Sequence, residues 1–245
     1  MHRKMTNNFP ENFKPRYLVG GALRYWAVRY GAAPVIASLG RSGSTMLTES
    51  CARSLLPSRI LCKSEIIRNS LIRNAWTFTD AEFHKGFVYK THDYPPASQL
   101  PDHVRIIYLY ADPIEVVVSI LQQYRKYGPE WIEEHADHMK VNNINIRKIC
   151  EDDIFRLEDH FDKWIGASGI PLLAIRYDKI WEYKSLISQF FGVPIELPPF
   201  QKRNASFNVL SKTDQEIALN TYGNLCNKIS NLPMHLSNTA QRILR

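Results

Sequence analysis

Short apolar runs alternate with helical periodicities along this chain. Val35, Ile36, Ala37 and Leu39 form a run that predicts a buried strand, and the polar turn Gly40-Arg41-Ser42-Gly43-Ser44-Thr45 follows it. From Thr45 to about Leu55, Met46, Leu47, Cys51 and Leu55 recur on one helical face. Arg59–Cys62 predicts a second strand, and Lys63-Ser64-Glu65 opens a helix to about Trp76. Gly86–Lys90 (GFVYK) is a third strand. Val104–Tyr110 (VRIIYLY) is a fourth, β-branched and aromatic nearly throughout, as a strand buried on both faces is.

Asp112, Pro113 and Glu115 then have the spacing of a capping box with proline at the first helical position. Trp131–Trp164 predicts helix, with Glu133-Glu134 and Glu151-Asp152-Asp153 on solvated faces. Pro171–Arg176 (PLLAIR) is a fifth strand, and Tyr177-Asp178 leads to a helix stopped by Gly192. A loop over Leu197–Ser206 and a helix over Asp214–Leu225 complete the pattern. Strands alternating with helices predict an α/β fold, a single domain with a mainly parallel central sheet flanked by helices. Ligands of such sheets lie beyond the carboxyl ends of the strands.

Composition narrows this picture. A chain of 245 residues, 44% hydrophobic, fills one large core, so residues 31–245 are expected to be the domain. Residues 1–30 are a basic, partly ordered lead-in, with Arg3, Lys4, Lys14, Arg16, Arg24 and Arg29 against Glu11 alone. The net charge of +7 points to anionic ligands, but no Lys/Arg block or zinc-finger spacing favours nucleic acid. Four dispersed cysteines (Cys51, Cys62, Cys150, Cys226) without a CxxC pair suit a reducing compartment, and a cytoplasmic location is expected. Arg24 and Arg29 interrupt the mildly apolar Tyr17–Ala37, so no membrane insertion is expected. No metal ligand set stands out; His135 and His138, three apart on a helix, read as a solvated face.

The turn at 40–45 carries the chemistry. Strand, glycine turn and helix start together aim several backbone N–H groups at one spot, which suits a phosphate or another tetrahedral oxyanion. It is not a Walker A loop: two residues separate Gly40 from Gly43, no lysine follows Gly43, and the cation, Arg41, precedes it. A shorter cradle fits a shorter anion, and an ordinary glycine-containing βα turn is the plain alternative.

Four stretches alter that balance: LGRSGST at the first turn, Lys90-Thr91-His92 at a strand end, Tyr108–Ser119 (YLYADPIEVVVS) and Leu172–Ile180 (LLAIRYDKI). In this order and context they resemble the sulfotransferases, with their P-loop-like fold, over roughly Pro34 to Ser206. The resemblance implies the donor 3′-phosphoadenosine 5′-phosphosulfate, whose product is the 3′,5′-bisphosphate. Its 5′-phosphosulfate would fall to Arg41, Ser42, Gly43, Ser44 and Thr45. His92 would be the general base, with Lys90 beside it; Glu65 is the rival base, at the point where carbohydrate-type members carry a carboxylate. Ser119 would touch the 3′-phosphate, Tyr177 the adenine, and Lys202-Arg203 would be the basic pair of a late loop.

One position departs from the family: Ala111 stands where an arginine is expected. Losing one charge-assisted contact weakens binding by about ten- to a hundred-fold. Lys202, Arg203 or an N-terminal cation substitutes, or the donor lacks a 3′-phosphate, or activity is lost; substitution is the preferred reading. The expected function is therefore transfer of a sulfuryl group to a hydroxyl or amine of a small-molecule or carbohydrate acceptor, by in-line displacement. A nucleotide-dependent kinase and a non-catalytic nucleotide- or anion-binding relative are the alternatives.

Overall fold

Alternation along the buried strands decides the architecture. In the computed structural model, which describes residues 31–56, 64–97, 99–201, 207–233 and 235–237, six strands form one sheet in the order β2-β3-β1-β4-β5-β6. They are β1 (Ala33–Ser38), β2 (Ile72–Asn74), β3 (Val88–Thr91), β4 (Val104–Tyr110), β5 (Leu172–Arg176) and β6 (His235–Ser237). All pairings are parallel except that of β6 with β5. The helices are α1 (Ser44–Ser54), α2 (Glu65–Ser70), α3 (Pro113–Tyr127), α4 (Pro129–His138), α5 (Leu157–Ile165), α6 (Lys184–Phe191) and α7 (Lys212–Asn231).

Successive side chains on β4 go to opposite faces. Ile106, Tyr108 and Tyr110 pack with Val116, Phe161 and Tyr222 in a core shared with α3, α5 and α7. Ile107 and Leu109 pack with Leu47, Cys51 and Ile187 in a second core shared with α1 and α6. Covering both faces explains why β1 and β4 are apolar almost throughout. Ala37 on β1 is paired with Thr91 of β3 and with Tyr108 of β4, so the chain changes direction across the sheet at β1. The turn after β1 therefore opens between two neighbouring strand ends, where α/β sheets bind ligands.

The fourth and fifth strands, the Asp112 cap and the Gly192 stop are found as expected. Asp112 Oδ1 accepts from the N–H groups of Ile114 (2.9 Å) and Glu115 (3.1 Å), and Gly192 is left-handed at φ 69°. Three expectations are corrected. The helix from Glu65 stops at Ser70 instead of reaching Trp76, because residues 72–74 pair with β3 as an edge strand. Ser70 Oγ and Arg73 Nη1 take over the carbonyls of Ile67 (2.6 Å) and Ser70 (2.8 Å) at the helix end.

Trp131–Trp164 is not one helical stretch. Gly128 (φ 82°) separates α3 from α4, and Lys140, Asn143 and Arg156 are left-handed, which ends α4 and delays α5 to Leu157. Asp153 is no solvated acid. It accepts from the N–H groups of Leu157 (2.9 Å) and Glu158 (3.0 Å), and burial raises its pKa. The last helix extends over Lys212–Asn231, and β6 beyond it has no counterpart in the apolar pattern. Among the described residues no helix is long and apolar enough to cross a membrane. The lead-in at 1–30, the candidate strand Arg59–Cys62 with Cys62, and Lys202 and Arg203 lie outside the described residues.

Candidate functional site

A cleft of about 670 Å³ opens where β1 and β3 end. Its floor is the turn after β1. Gly40 (φ 76°), Arg41 (φ 46°) and Gly43 (φ 82°) are left-handed, which glycine adopts freely and Arg41 does at a cost of about 1–2 kcal/mol. Ser42 is fully buried and donates from Oγ to the Gly40 carbonyl at 2.8 Å, so it braces the turn from within and does not face the cleft. Gly43 is the N-cap of α1; no side chain caps that helix and no acid lies in its first turn. Its first N–H groups thus point toward the cleft with the positive end of the helix dipole behind them.

Gly43 is constrained a second time by its neighbour. A Cβ there would lie 2.3 Å from Cδ2 and Cε2 of Tyr177, whose ring lies against the turn. Tyr177 follows β5 directly and is held edge-on by Trp181. At Gly40 a Cβ would meet Met139 Sδ at 3.1 Å and His135 Cε1 at 3.4 Å, so α4 packs closely on the same turn.

Two cations flank the floor. Lys90, at the end of β3, donates from Nζ to Thr45 Oγ1 at 3.0 Å. Burial first, and then the Arg41 charge, lower its pKa, against an opposing pull from Glu49. Arg41 donates from Nε to Ser119 Oγ on α3 at 3.1 Å, and its guanidinium lies 5.9 Å from the Trp131 ring.

His92 is half-buried and lines the cleft beside Lys90. Its Nδ1 is 3.0 Å from the Ser38 carbonyl and 3.0 Å from Ser38 Oγ. A carbonyl only accepts, so Nδ1 carries the hydrogen and Nε2 is left with the basic lone pair. Burial, and secondarily the Lys90 charge, hold the imidazole pKa well below the ordinary histidine value, although the Ser38 carbonyl pulls the other way. The His92 imidazole is therefore neutral at physiological pH.

The cleft brings together Arg41, Gly43, Ser44, Thr45, Lys90, His92, Ser119 and Tyr177, drawn from all four stretches singled out in the sequence. Glu65 is not among its lining residues; it is exposed at the start of α2, where Ser64 Oγ caps the Ile67 N–H at 3.4 Å. His135 and His138 are not a solvated pair. His135 is buried under Trp131, with ring centroids 4.9 Å apart, and burial followed by the Arg41 charge lowers its pKa to about 3. His138 lines the cleft too and stacks on Trp76 at 4.3 Å. Among the described residues no three His, Cys, Asp or Glu side chains converge as a metal site.

Other lining residues escaped the sequence reading: Glu49, Arg53, Gln122, Gln123 and Pro198. A signal for most of them existed. Glu49 and Arg53 follow Thr45 at steps of four, and Gln122 and Gln123 follow Ser119 by three and four, so each set continues a helical stripe from a residue already chosen. Glu49 and Arg53 also pair with each other at 3.2 Å. No protein-family model matches the chain, and no curated protein matches its sequence.

Proposed function

We propose that the chain is a sulfotransferase of the P-loop-like type that uses 3′-phosphoadenosine 5′-phosphosulfate. The observation that carries this reading is the convergence on one cleft of the first turn, Lys90 with His92, Ser119, and Tyr177. The residues present fit the donor. Uncapped amides of α1 with Lys90 suit the sulfate-bearing phosphate, and the Tyr177 ring against Gly43 offers a flat wall to a base. Ala111 leaves the place of the family arginine empty, and the expected substitutes Lys202 and Arg203 lie outside the described residues. Arg41 stands at Ser119, so a guanidinium and that hydroxyl still face a second phosphate together.

Bound there, the donor supplies an activated sulfuryl group. His92 Nε2 takes the proton of the acceptor hydroxyl, while the Ser38 carbonyl holds Nδ1–H and keeps the ring in that tautomer. Lys90 and the α1 amides stabilise the charge that develops on the departing phosphate, while Arg41 stays at Ser119 for the second phosphate. Met46 and Pro198 are the only non-aromatic apolar side chains among the described lining residues, so the acceptor that suits this cleft is a polar hydroxyl compound. Ala111 favours one second reading, a relative that binds the nucleotide without turnover. A kinase reading has no such support, since the turn lacks the lysine that a Walker A loop requires.

Melting in the presence of the 3′,5′-bisphosphate, 5′-AMP, or ATP with Mg²⁺ tests the reading together with a sulfuryl-transfer assay. At 100 times its dissociation constant the bisphosphate stabilises by about 2.7 kcal/mol. It is expected to shift the melt more than AMP, and Arg41→Gln to remove that preference. His92→Ala is expected to lower kcat by about 10²–10⁴ with nucleotide binding retained. Binding without transfer in the wild type establishes the second reading instead, and a response to ATP with Mg²⁺ alone rejects both.

A further inference from the structure

Residues 92 and 93 follow the last ladder residue of β3, Thr91, so their carbonyls need donors from outside the sheet. Those donors come from α5, on the face of the sheet opposite α1. His160 Nε2 is 3.2 Å from the His92 carbonyl and 3.2 Å from the Asp93 carbonyl. Trp164, one helical turn on, donates from Nε1 to the Asp93 carbonyl at 3.0 Å. Carbonyls only accept, so His160 carries its hydrogen on Nε2, and its Nδ1 accepts from the Tyr108 hydroxyl at 3.2 Å.

His160 is 2% exposed and Trp164 fully buried. An imidazole at such a place is costly unless both nitrogens are satisfied, and here both are. The same short segment is tied at other points. Asp93 N–H donates to Thr91 Oγ1 at 2.9 Å, and its carboxylate accepts from the N–H groups of Phe78 (2.9 Å) and Tyr94 (2.8 Å) and from Lys140.

We propose that His160 is a positioning residue for His92: by holding the His92 and Asp93 carbonyls toward α5, it turns the His92 ring back onto Ser38 and leaves Nε2 facing the cleft. In this backbone orientation the ring meets the Ser38 carbonyl through Nδ1 at 3.0 Å. A buried histidine outside the cleft thus sets which nitrogen of the cleft histidine is the base. This inference rests on the assignment of His92 as base.

The test is the ring ¹⁵N–¹H spectrum of His92 in the full chain, beside sulfuryl transfer. In the wild type His92 is expected as a single tautomer with hydrogen on Nδ1. His160→Phe keeps the bulk and removes the donor; His92 is expected to become a mixture of tautomers. Transfer is expected to fall about ten- to a hundred-fold with the donor KM unchanged. His160→Gln, which restores an N–H donor, recovers the single tautomer and most of the rate. Tyr108→Phe removes only the bond to His160 Nδ1 and gives a smaller change in the same direction, which keeps the test available if His160→Phe fails to fold. Wild-type His92 spectra in both His160→Phe and Tyr108→Phe, with transfer lost only in step with the folded fraction, overturn the proposal. A tautomer change in a protein that transfers no sulfuryl group upholds the positioning role and removes the assignment of His92 as base.

Discussion

Two neighbouring strands, β1 and β4, each run into a helix at the same edge of the sheet, yet the two helix starts are built in opposite ways. After β4, Asp112 caps two N–H groups of α3, Pro113 removes a third, and Glu115 puts a negative charge in the first turn. That end is closed, and its dipole is satisfied within the chain. After β1, Gly43 caps nothing, no acid follows, and the turn holds Arg41 in a left-handed conformation. With glycine as N-cap, the open end forgoes about a few tenths of a kcal/mol of capping and adds the strain of a left-handed Arg41. What it keeps is a set of oriented donors beside Lys90 and Arg41. The difference singles out the candidate site more sharply than the cleft volume does: stabilisation has been left out at one of two equivalent positions.

Closing the open end is the strongest test. Thr45→Asp puts a carboxylate at the start of α1 within reach of Lys90, as Asp112 and Glu115 serve α3. Nucleotide affinity is expected to fall by about a hundred-fold or more, because an anion then meets an anion, while the melting temperature holds or rises. Titration calorimetry and melting on the same variant separate the two effects. Gly43→Ala closes it by bulk instead. With Tyr177 carbons 2.3 Å from the new Cβ and φ at 82°, the loss of stability is expected to be about 1–3 kcal/mol, read by denaturant unfolding.

Acid probes the histidines packed beneath the open turn and its neighbour. His135 titrates at about 3 and His160 at about 4 in the folded protein, below the ordinary value of 6.5. Between 6.5 and those values the unfolded chain binds more protons than the folded one. The contribution is complete above pH 6.5 and is lost as the pH falls through 4 and 3. Melting temperature is therefore expected to drop steadily below pH 6.5, and a melt independent of pH over that window contradicts the burial of both rings. Opening the closed end is the mildest change. Asp112→Ala is expected to cost about 1 kcal/mol of stability with nucleotide affinity unchanged; lower affinity contradicts the separation of the two ends.

Local features of the sequence reach far into this fold. Val104–Tyr110 reads as a doubly buried strand because every residue but Arg105 is apolar, and Asp112-Pro113-Ile114-Glu115 marks a helix start by its own chemistry. The site turn is legible for the same reason, since its glycines, hydroxyls and arginine act within six consecutive residues. Where outcomes depend on distant partners, the reading diverges. Residues 72–74 carry a helical continuation but are taken by the edge of β3, and His135 looks like a surface residue until Trp131 and the Gly40 turn cover it.

The sequence by itself determined the alternation of strands and helices, the two helix caps, and the identity of Arg41, Lys90, His92, Ser119 and Tyr177 as residues to watch. Each is a matter of neighbours along the chain or of a local motif. Only the tertiary structure decided that Arg41 reaches Ser119, that Glu65 stays outside the cleft, and that His160 meets the backbone of His92. Those contacts span tens of residues, and their existence depends on strand order, crossover and helix packing, none of which a local pattern encodes.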